Sequence, residues 1–296
     1  MTRRTWLGVT LGFTGAAFAN DAFAQALTPL DVAYAGSMGS MMESSIKTAV
    51  TSLGIAMRGR AQGSDALAQL IVGGSIPVDV FVPVTPGPME TVIKAGKAAR
   101  ATPIARTEMV IAYSPRSKFA SAFASQPWYR VLQEPGLRFG RTDPATDPQG
   151  RNIIFTMQLA EAYYKQPGLA RKILGDTLNA AQIFSEPTVQ ARLQSGELDA
   201  ASAYKTQPGP FDLSFVALPD AINLGNASMH ERYQTASLML NGKTYVPQPL
   251  VYYAATIAAA PHPEKAAAFV AWLASDAAQP ILRKYAYDPP VGATPL

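Results

Sequence analysis

Short apolar runs and helix-patterned stretches take turns through the first half of this chain, and that alternation limits the fold more than any other feature. Residues 30–35, 54–58, 78–82 and 109–113 read as strands, and residues 41–50, 63–71 and 87–94 carry helical spacing between them. Strands separated by helices imply βαβ units, and so an α/β fold built on a mainly parallel sheet. The connections are small and polar. Gly36-Ser37-Met38-Gly39-Ser40 follows the first strand and Gly63-Ser64-Asp65 the second.

The second half changes texture. Residues 128–132, 153–164, 169–174 and 189–193 look helical, and 137–140, 183–184, 198–203 and 215–218 look extended. Pro219, Asn223, Gly225, Asn241 and Gly242 make residues 219–248 an expected irregular stretch. A further strand is expected over 250–257, then helices over 265–274 and 277–285. Phe269, Trp272 and Leu273 share a face of the first of these and are expected to pack inward.

Within this pattern, Gly140-Arg141-Thr142-Asp143-Pro144-Ala145-Thr146-Asp147-Pro148-Gln149-Gly150 holds the most information. Asp147 stands directly before a proline at the head of a helical run. Asp is a favoured N-cap and Pro suits the first helical position. Ser185-Glu186-Pro187 repeats the arrangement in weaker form. Helix N-termini attract anions, and here two of them carry carboxylates. On the residues alone, Asp147, Ser37 and Ser64 also fit plain capping roles, and Glu186 a solvated loop.

Composition narrows the chemistry. At 48% hydrophobic and 16% charged, the chain forms a core and is not a disordered one. Its 296 residues suffice for two lobes. A net charge of +4 without a Lys/Arg cluster argues against nucleic acid and suits a small anion. There is no cysteine, which excludes a thiol nucleophile, disulfides and a Cys-based zinc site. The two histidines, His230 and His262, lie far apart and read as surface residues. No G-x-x-x-x-G-K-[ST] loop occurs, so any ATP use belongs to a partner.

Residues 1–24 differ from the rest. Arg3 and Arg4 precede an apolar stretch, and Ala22-Phe23-Ala24 precedes Gln25 in the manner of a cleavage site. This reads as a secretory signal peptide. Thr2-Arg3-Arg4-Thr5-Trp6-Leu7 also resembles a twin-arginine export signal. The expected address is the periplasm, by either the Sec or the twin-arginine route.

Several pieces of the chain, taken in order, resemble one family. They are Ala35-Gly36-Ser37-Met38, Gly63-Ser64, Val78-Asp79-Val80-Phe81, Glu108 through Tyr113, Gly140 through Gly150, Glu186, Gln194 through Asp199, Tyr204-Lys205-Thr206, Leu218 through Leu224, and Tyr253 through Ile257. Together they are similar to the periplasmic solute-binding proteins of molybdate/tungstate ABC transporters, the tungstate-type branch in particular. The resemblance implies a type II periplasmic-binding-protein fold, two lobes with a ligand cleft between them. Residues 28–107 and 258–296 would form lobe one and residues 108–257 lobe two. It implies no cofactor and no catalytic residue. The oxyanion would be held by Ser37, Ser64, Tyr204 and backbone N–H groups, with Asp147 and Glu186 as ligands to its tungsten or molybdenum. A monomer would dock on the membrane permease of an ABC importer. The chain departs from the family pattern at Pro83, Arg151 and Thr206. Thr85 and Arg141 are weaker site candidates, Arg141 reading as a structural partner of Asp143 or a cleft cation.

Two carboxylates beside an oxyanion need a chemical reason. Ionised sulfate has no proton to share with them and would be repelled. Hydrogen phosphate keeps a proton and can donate it. Molybdenum and tungsten can raise their coordination beyond four, so carboxylate oxygens can bind the metal itself. The residues thus favour a tungstate or molybdate receptor. A receptor for phosphate or an organic acid is the alternative. A periplasmic hydrolase with an Asp147/Glu186 acid/base pair is a more distant one.

Overall fold

A computed structural model describes residues 26–296. The signal peptide expected over residues 1–24 lies outside the described residues. Among the described residues, eleven strands form two main sheets and a hairpin. The first sheet joins β1 (Thr28–Ala35), β2 (Ile55–Gln62), β3 (Val80–Val82), β4 (Thr102–Arg106) and β11 (Val251–Thr256) in the order β2-β1-β3-β11-β4. β1 pairs in parallel with β2 and β3, while β11 runs antiparallel to β3 and β4. The second sheet joins β5 (Met109–Tyr113), β6 (Phe139–Gly140), β7 (Ala200–Tyr204) and β8 (Ser214–Ala217) in the order β6-β7-β5-β8. β9 (Leu238–Leu240) and β10 (Lys243–Tyr245) make the hairpin.

Both sheets are covered on both faces, and the strand sequences say why. In β1, Leu30, Val32 and Tyr34 enter one apolar cluster while Ala33 enters another with Leu67, Ile71, Phe81 and Met89. In β5, Met109 and Ile111 face one side, Val110 and Ala112 the other. Near-continuous apolar runs are what a doubly covered sheet requires. The helix Pro263–Leu273 packs back on β1 and β11. It buries Phe269 and Leu273, with Trp272 packed at the edge, as its spacing predicts. Among the described residues no helix is long and apolar enough to cross a membrane.

One boundary needs correction. The expected division put residues 108–257 in the second lobe, but β11 pairs with β3 and β4 of the first sheet. The chain therefore returns to the first sheet before Val251, not after residue 257. The reason lies in hydrogen bonding: Val251–Thr256 pairs on both sides, between β3 and β4, and apolar spacing carries no record of which sheet a strand enters. The two crossings lie side by side. Thr107 N–H donates to the Leu250 carbonyl at 2.9 Å and Met109 N–H to that of Asn223 at 2.8 Å. A bend of one sheet against the other has to pass through these few residues.

Candidate functional site

Four chain segments converge on one cleft, each at the carboxyl end of an extended segment and the start of a helical turn. Gly36 follows β1 and opens a helical turn. Gly63 follows β2 and caps the helix Ser64–Val72. Asp147 ends the loop after β6 and caps the helix Pro148–Tyr163. Ser185 caps the helix Glu186–Ser195, just after Ile183 bridges in parallel to Arg141. Open α/β sheets place their ligands at such ends, where unsatisfied N–H groups gather. The cleft encloses about 570 Å³, and Gly36, Gly63, Thr142, Asp143, Asp147 and Glu186 are among its walls. Among the described residues its lining contains no Lys, Arg or His.

The carboxylates come from one sheet's side and the glycines from the other's. A Cβ added at Gly36 would stand 2.2 Å from Oε2 of Glu186. One added at Gly63 would stand 3.0 Å from the Thr146 carbonyl and 3.7 Å from Cβ of Asp147. A side chain at either position would crowd this approach, so the two glycines shape the seam between the sheets.

Asp147 acts as the expected N-cap: its Oδ1 accepts from Gln149 N–H at 2.9 Å. Glu186 accepts from Gln207 Nε2 at 2.6 Å. Each acid is partly exposed, but to the confined cleft rather than to open water. Desolvation there pushes Asp147 up to about 6, against the opposing pull of the Gln149 N–H bond. It pushes Glu186 up to about 8, with the nearby Asp147 charge adding to the rise. A charged carboxylate loses hydration in such a place and gains too few donors to replace it.

The other expected site residues surround this pair. Tyr204 is buried and its hydroxyl accepts from Asn152 Nδ2 at 3.0 Å. Burial, then Asp147, holds its phenol well above the ordinary value. The Ser37 hydroxyl lies 3.0 Å from that of Tyr252, and its carbonyl accepts from Tyr287 at 3.2 Å. Ser64 turns its hydroxyl away, accepting from Val84 N–H at 3.2 Å. Thr142 and Thr206 are buried, and their hydroxyls have no partner among the described residues.

Two of the departures, Arg151 and Pro83, and the weaker candidate Arg141 lie outside the cleft lining. Arg151 ion-pairs with Asp65 of the facing helix, donates to the Pro144 carbonyl at 3.1 Å and stacks on Tyr245. It ties the two sides together. Arg141 is structural: its guanidinium donates to the carbonyls of Asp176 and Thr177, both at 2.9 Å, and to Gln182 at 3.2 Å, rather than pairing with Asp143. Pro83 prolongs β3, its carbonyl accepting from Tyr253 N–H at 3.2 Å. Thr85, beyond Val84, holds a φ of 65°, a costly value for a β-branched residue. His230 is exposed and His262 half-buried beside Asp79.

Tyr252, Tyr287, Gln149 and Gln207 escaped sequence reasoning. A tyrosine in an apolar strand reads as packing, and a glutamine in a loop as solvated. The one available signal was position: Gln149 lies in the 140–150 stretch and Gln207 directly follows Tyr204-Lys205-Thr206.

The comparisons agree with this architecture. Over 213 residues the chain is 30% identical to the molybdate/tungstate-binding protein WtpA of Pyrococcus abyssi, a match covering 63% of this chain and 62% of that protein. The match thus spans less than two thirds of that relative's length. The periplasmic molybdate-binding protein of Azotobacter vinelandii superposes with a TM-score of 0.62 at 17% identity, covering 88% of this chain and 99% of that one. The sulfate-binding protein SubI of Mycobacterium tuberculosis gives 0.64 at 15% identity, over 90% and 88%. These likenesses show the fold, the two-lobed periplasmic-binding architecture expected from the sequence. Residues 30–288 match the family described as bacterial extracellular solute-binding protein, and the chain belongs to that family.

Proposed function

We propose that this chain is an extracytoplasmic receptor that captures tungstate or molybdate in the cleft and passes it to an ABC importer. One observation carries the reading: two desolvated carboxylates, Asp147 and Glu186, share a cleft whose lining holds no cation among the described residues. Such a wall repels a plain dianion. It suits an anion whose central metal accepts carboxylate oxygens as additional ligands. Asp147 and Glu186 would bind the metal. Backbone N–H groups at the four helix starts, the hydroxyls of Thr142, Ser37 and Tyr204, and the backbone around Ser64 would receive the oxo groups. The name of the Pyrococcus relative points the same way. The periplasm, as the expected destination of a signal-bearing chain, and the permease, as the docking partner of a monomer, belong to this proposal.

A second reading has its own support. Glu186, pushed up to about 8, is largely neutral at pH 7 and can donate a hydrogen bond. That would serve phosphate or an organic acid. The acid/base hydrolase is set aside, because family and relatives are solute-binding proteins, not enzymes.

Calorimetric titration of the anion-stripped protein decides between the anions. Tungstate and molybdate are expected to bind tightly in the presence of excess sulfate and phosphate. Displacement by phosphate would reject the metal-ligation reading. Gly36→Ala offers a check on cleft geometry. Its new methyl meets Oε2 of Glu186, so the carboxylate tip must move out of its place. Tungstate affinity should fall about tenfold or more, with the unfolding midpoint nearly unchanged if the cleft relieves the clash by staying ajar.

A further inference from the structure

We propose that Gln207 is the residue that orients Glu186, engaging its Oε1 and leaving Oε2 to face the cleft; this rests on the receptor reading above and deepens it. The argument starts from a donor that cannot turn round. Tyr204 N–H meets Oε1 of Gln207 at 2.6 Å. A backbone N–H only donates, so this end of the Gln207 amide is its oxygen. The same oxygen takes a second bond, from Gln149 Nε2 at 2.5 Å. The amide is thereby fixed end for end, and its Nε2 donates to Oε1 of Glu186 at 2.6 Å. Gln190 Nε2 approaches that same oxygen at 3.5 Å.

Both donors fall on Oε1. A neutral acid accepts best at its carbonyl oxygen and carries its proton on the other, so neutral Glu186 bears its proton on Oε2. That is the atom nearest the Cβ position of Gly36, across the cleft. When the acid ionises, Oε2 is the oxygen with lone pairs free for a metal centre.

Gln149 extends the arrangement to the second acid. Its backbone N–H holds Oδ1 of Asp147 at 2.9 Å while its side chain holds Gln207. Gln149 and Gln207 are 3% and 6% exposed, so bulk water does not compete for these bonds, and losing one strands a buried group. Gln207 acts through Glu186 and is a positioning residue. The titratable groups facing Glu186 are Asp147 and the phenols of Tyr204, Tyr252 and Tyr287. Burial pushes the phenols up and keeps them neutral, so Asp147 alone titrates in the same range.

A carbon-13 carboxyl NMR titration of the ligand-free protein tests the proposal, with Glu186 assigned through Glu186→Gln. Gln207→Leu removes the donor, and the Glu186 midpoint is expected to rise by about one pH unit. Tungstate affinity should fall about tenfold or more. Gln207→Glu keeps the shape and both accepting bonds but offers Glu186 a charge in place of a donor. It should raise the midpoint further, and it carries the test alone if the leucine variant does not fold. An unmoved midpoint in the folded variants overturns the proposal even where affinity drops, since a loosened cleft weakens binding without moving that midpoint. If wild-type protein binds no tungstate while the midpoint still moves, the anion reading fails and the positioning role stands.

Discussion

Asp147→Asn and Glu186→Gln are each expected to weaken tungstate binding by more than about 100-fold, a loss larger than that of an outer-shell partner, while leaving the fold intact. The two substitutions are chosen to separate ligation from capping. Asn caps a helix about as well as Asp, so the Gln149 N–H bond and the helix Pro148–Tyr163 should survive in Asp147→Asn. What disappears is the anionic oxygen. Asp147→Ala, by contrast, should lose the cap too and cost about 1 kcal/mol of stability. Glu186→Gln retains an amide oxygen that can accept from Gln207. Isothermal calorimetry and a urea midpoint on each variant make the comparison. Wild-type affinity in Asp147→Asn would reduce Asp147 to a cap and remove it from the site.

The large elements were legible because burial writes itself into apolar spacing. Residues 109–113 were read as a strand and Met109–Tyr113 is one. Asp147-Pro148 announced a helix start correctly, since that dipeptide satisfies capping and φ restraint at once. The misses have separate causes. β4 was overlooked because Pro103 interrupts it. Pro is tolerated there because β4 is the edge strand of its sheet. Asn241 and Gly242 were read as breakers in an irregular stretch. They form the hairpin turn between β9 and β10, with φ values of 53° and 75° that suit a primed turn. The helix expected over residues 41–50 is present within an unbroken helical run, but it contains a π segment, Met42–Ile46, that the spacing did not announce. One inserted residue of this sort leaves no mark on apolar spacing. Residues 183–184 contribute one bridge rather than a strand.

The acids of the site were legible for a local reason, and their partners were not for a non-local one. Asp147 and Glu186 sit at helix starts, where a carboxylate stands out against its neighbours. The relay through Gln149 and Gln207 joins residues 58 positions apart, and that through Tyr252 and Ser37 joins residues 215 apart. Only the fold brings them together. The same holds for Arg151, in sequence only a departure from the family pattern, which pairs with Asp65 of the facing helix.

Tungstate affinity is expected to fall as pH drops below about 8, and proton release on binding should identify the mode of attachment. In the ligand-free cleft, desolvation and the Asp147 charge raise Glu186 to about 8, and desolvation raises Asp147 to about 6. The two acids interact, so they titrate as a pair. A carboxylate that ligates a metal must be ionised. Between pH 8 and 6, binding therefore expels roughly one proton, and affinity weakens by up to about tenfold per pH unit. A phosphate held by neutral Glu186 gives the opposite sign: its affinity falls as pH rises through about 8, and no proton is expelled. Calorimetry in two buffers of different ionisation enthalpy, over pH 6.5 to 9, counts the protons directly. The same shifts act on the empty protein. A carboxyl raised above its unfolded value favours the folded state in its neutral form, so the contribution of Glu186 to stability is full at low pH and is lost as pH climbs from about 4.5 towards 8. Glu186→Gln removes that penalty and should stabilise the ligand-free protein at pH 8 by a few kcal/mol, a gain reduced to the extent that the cleft opens to rehydrate the charge. A variant that folds better and binds worse is the signature of an acid kept in a hostile place for its ligand. Proton uptake or none, with flat affinity from pH 8 to 6.5, would show that neither acid reaches the metal.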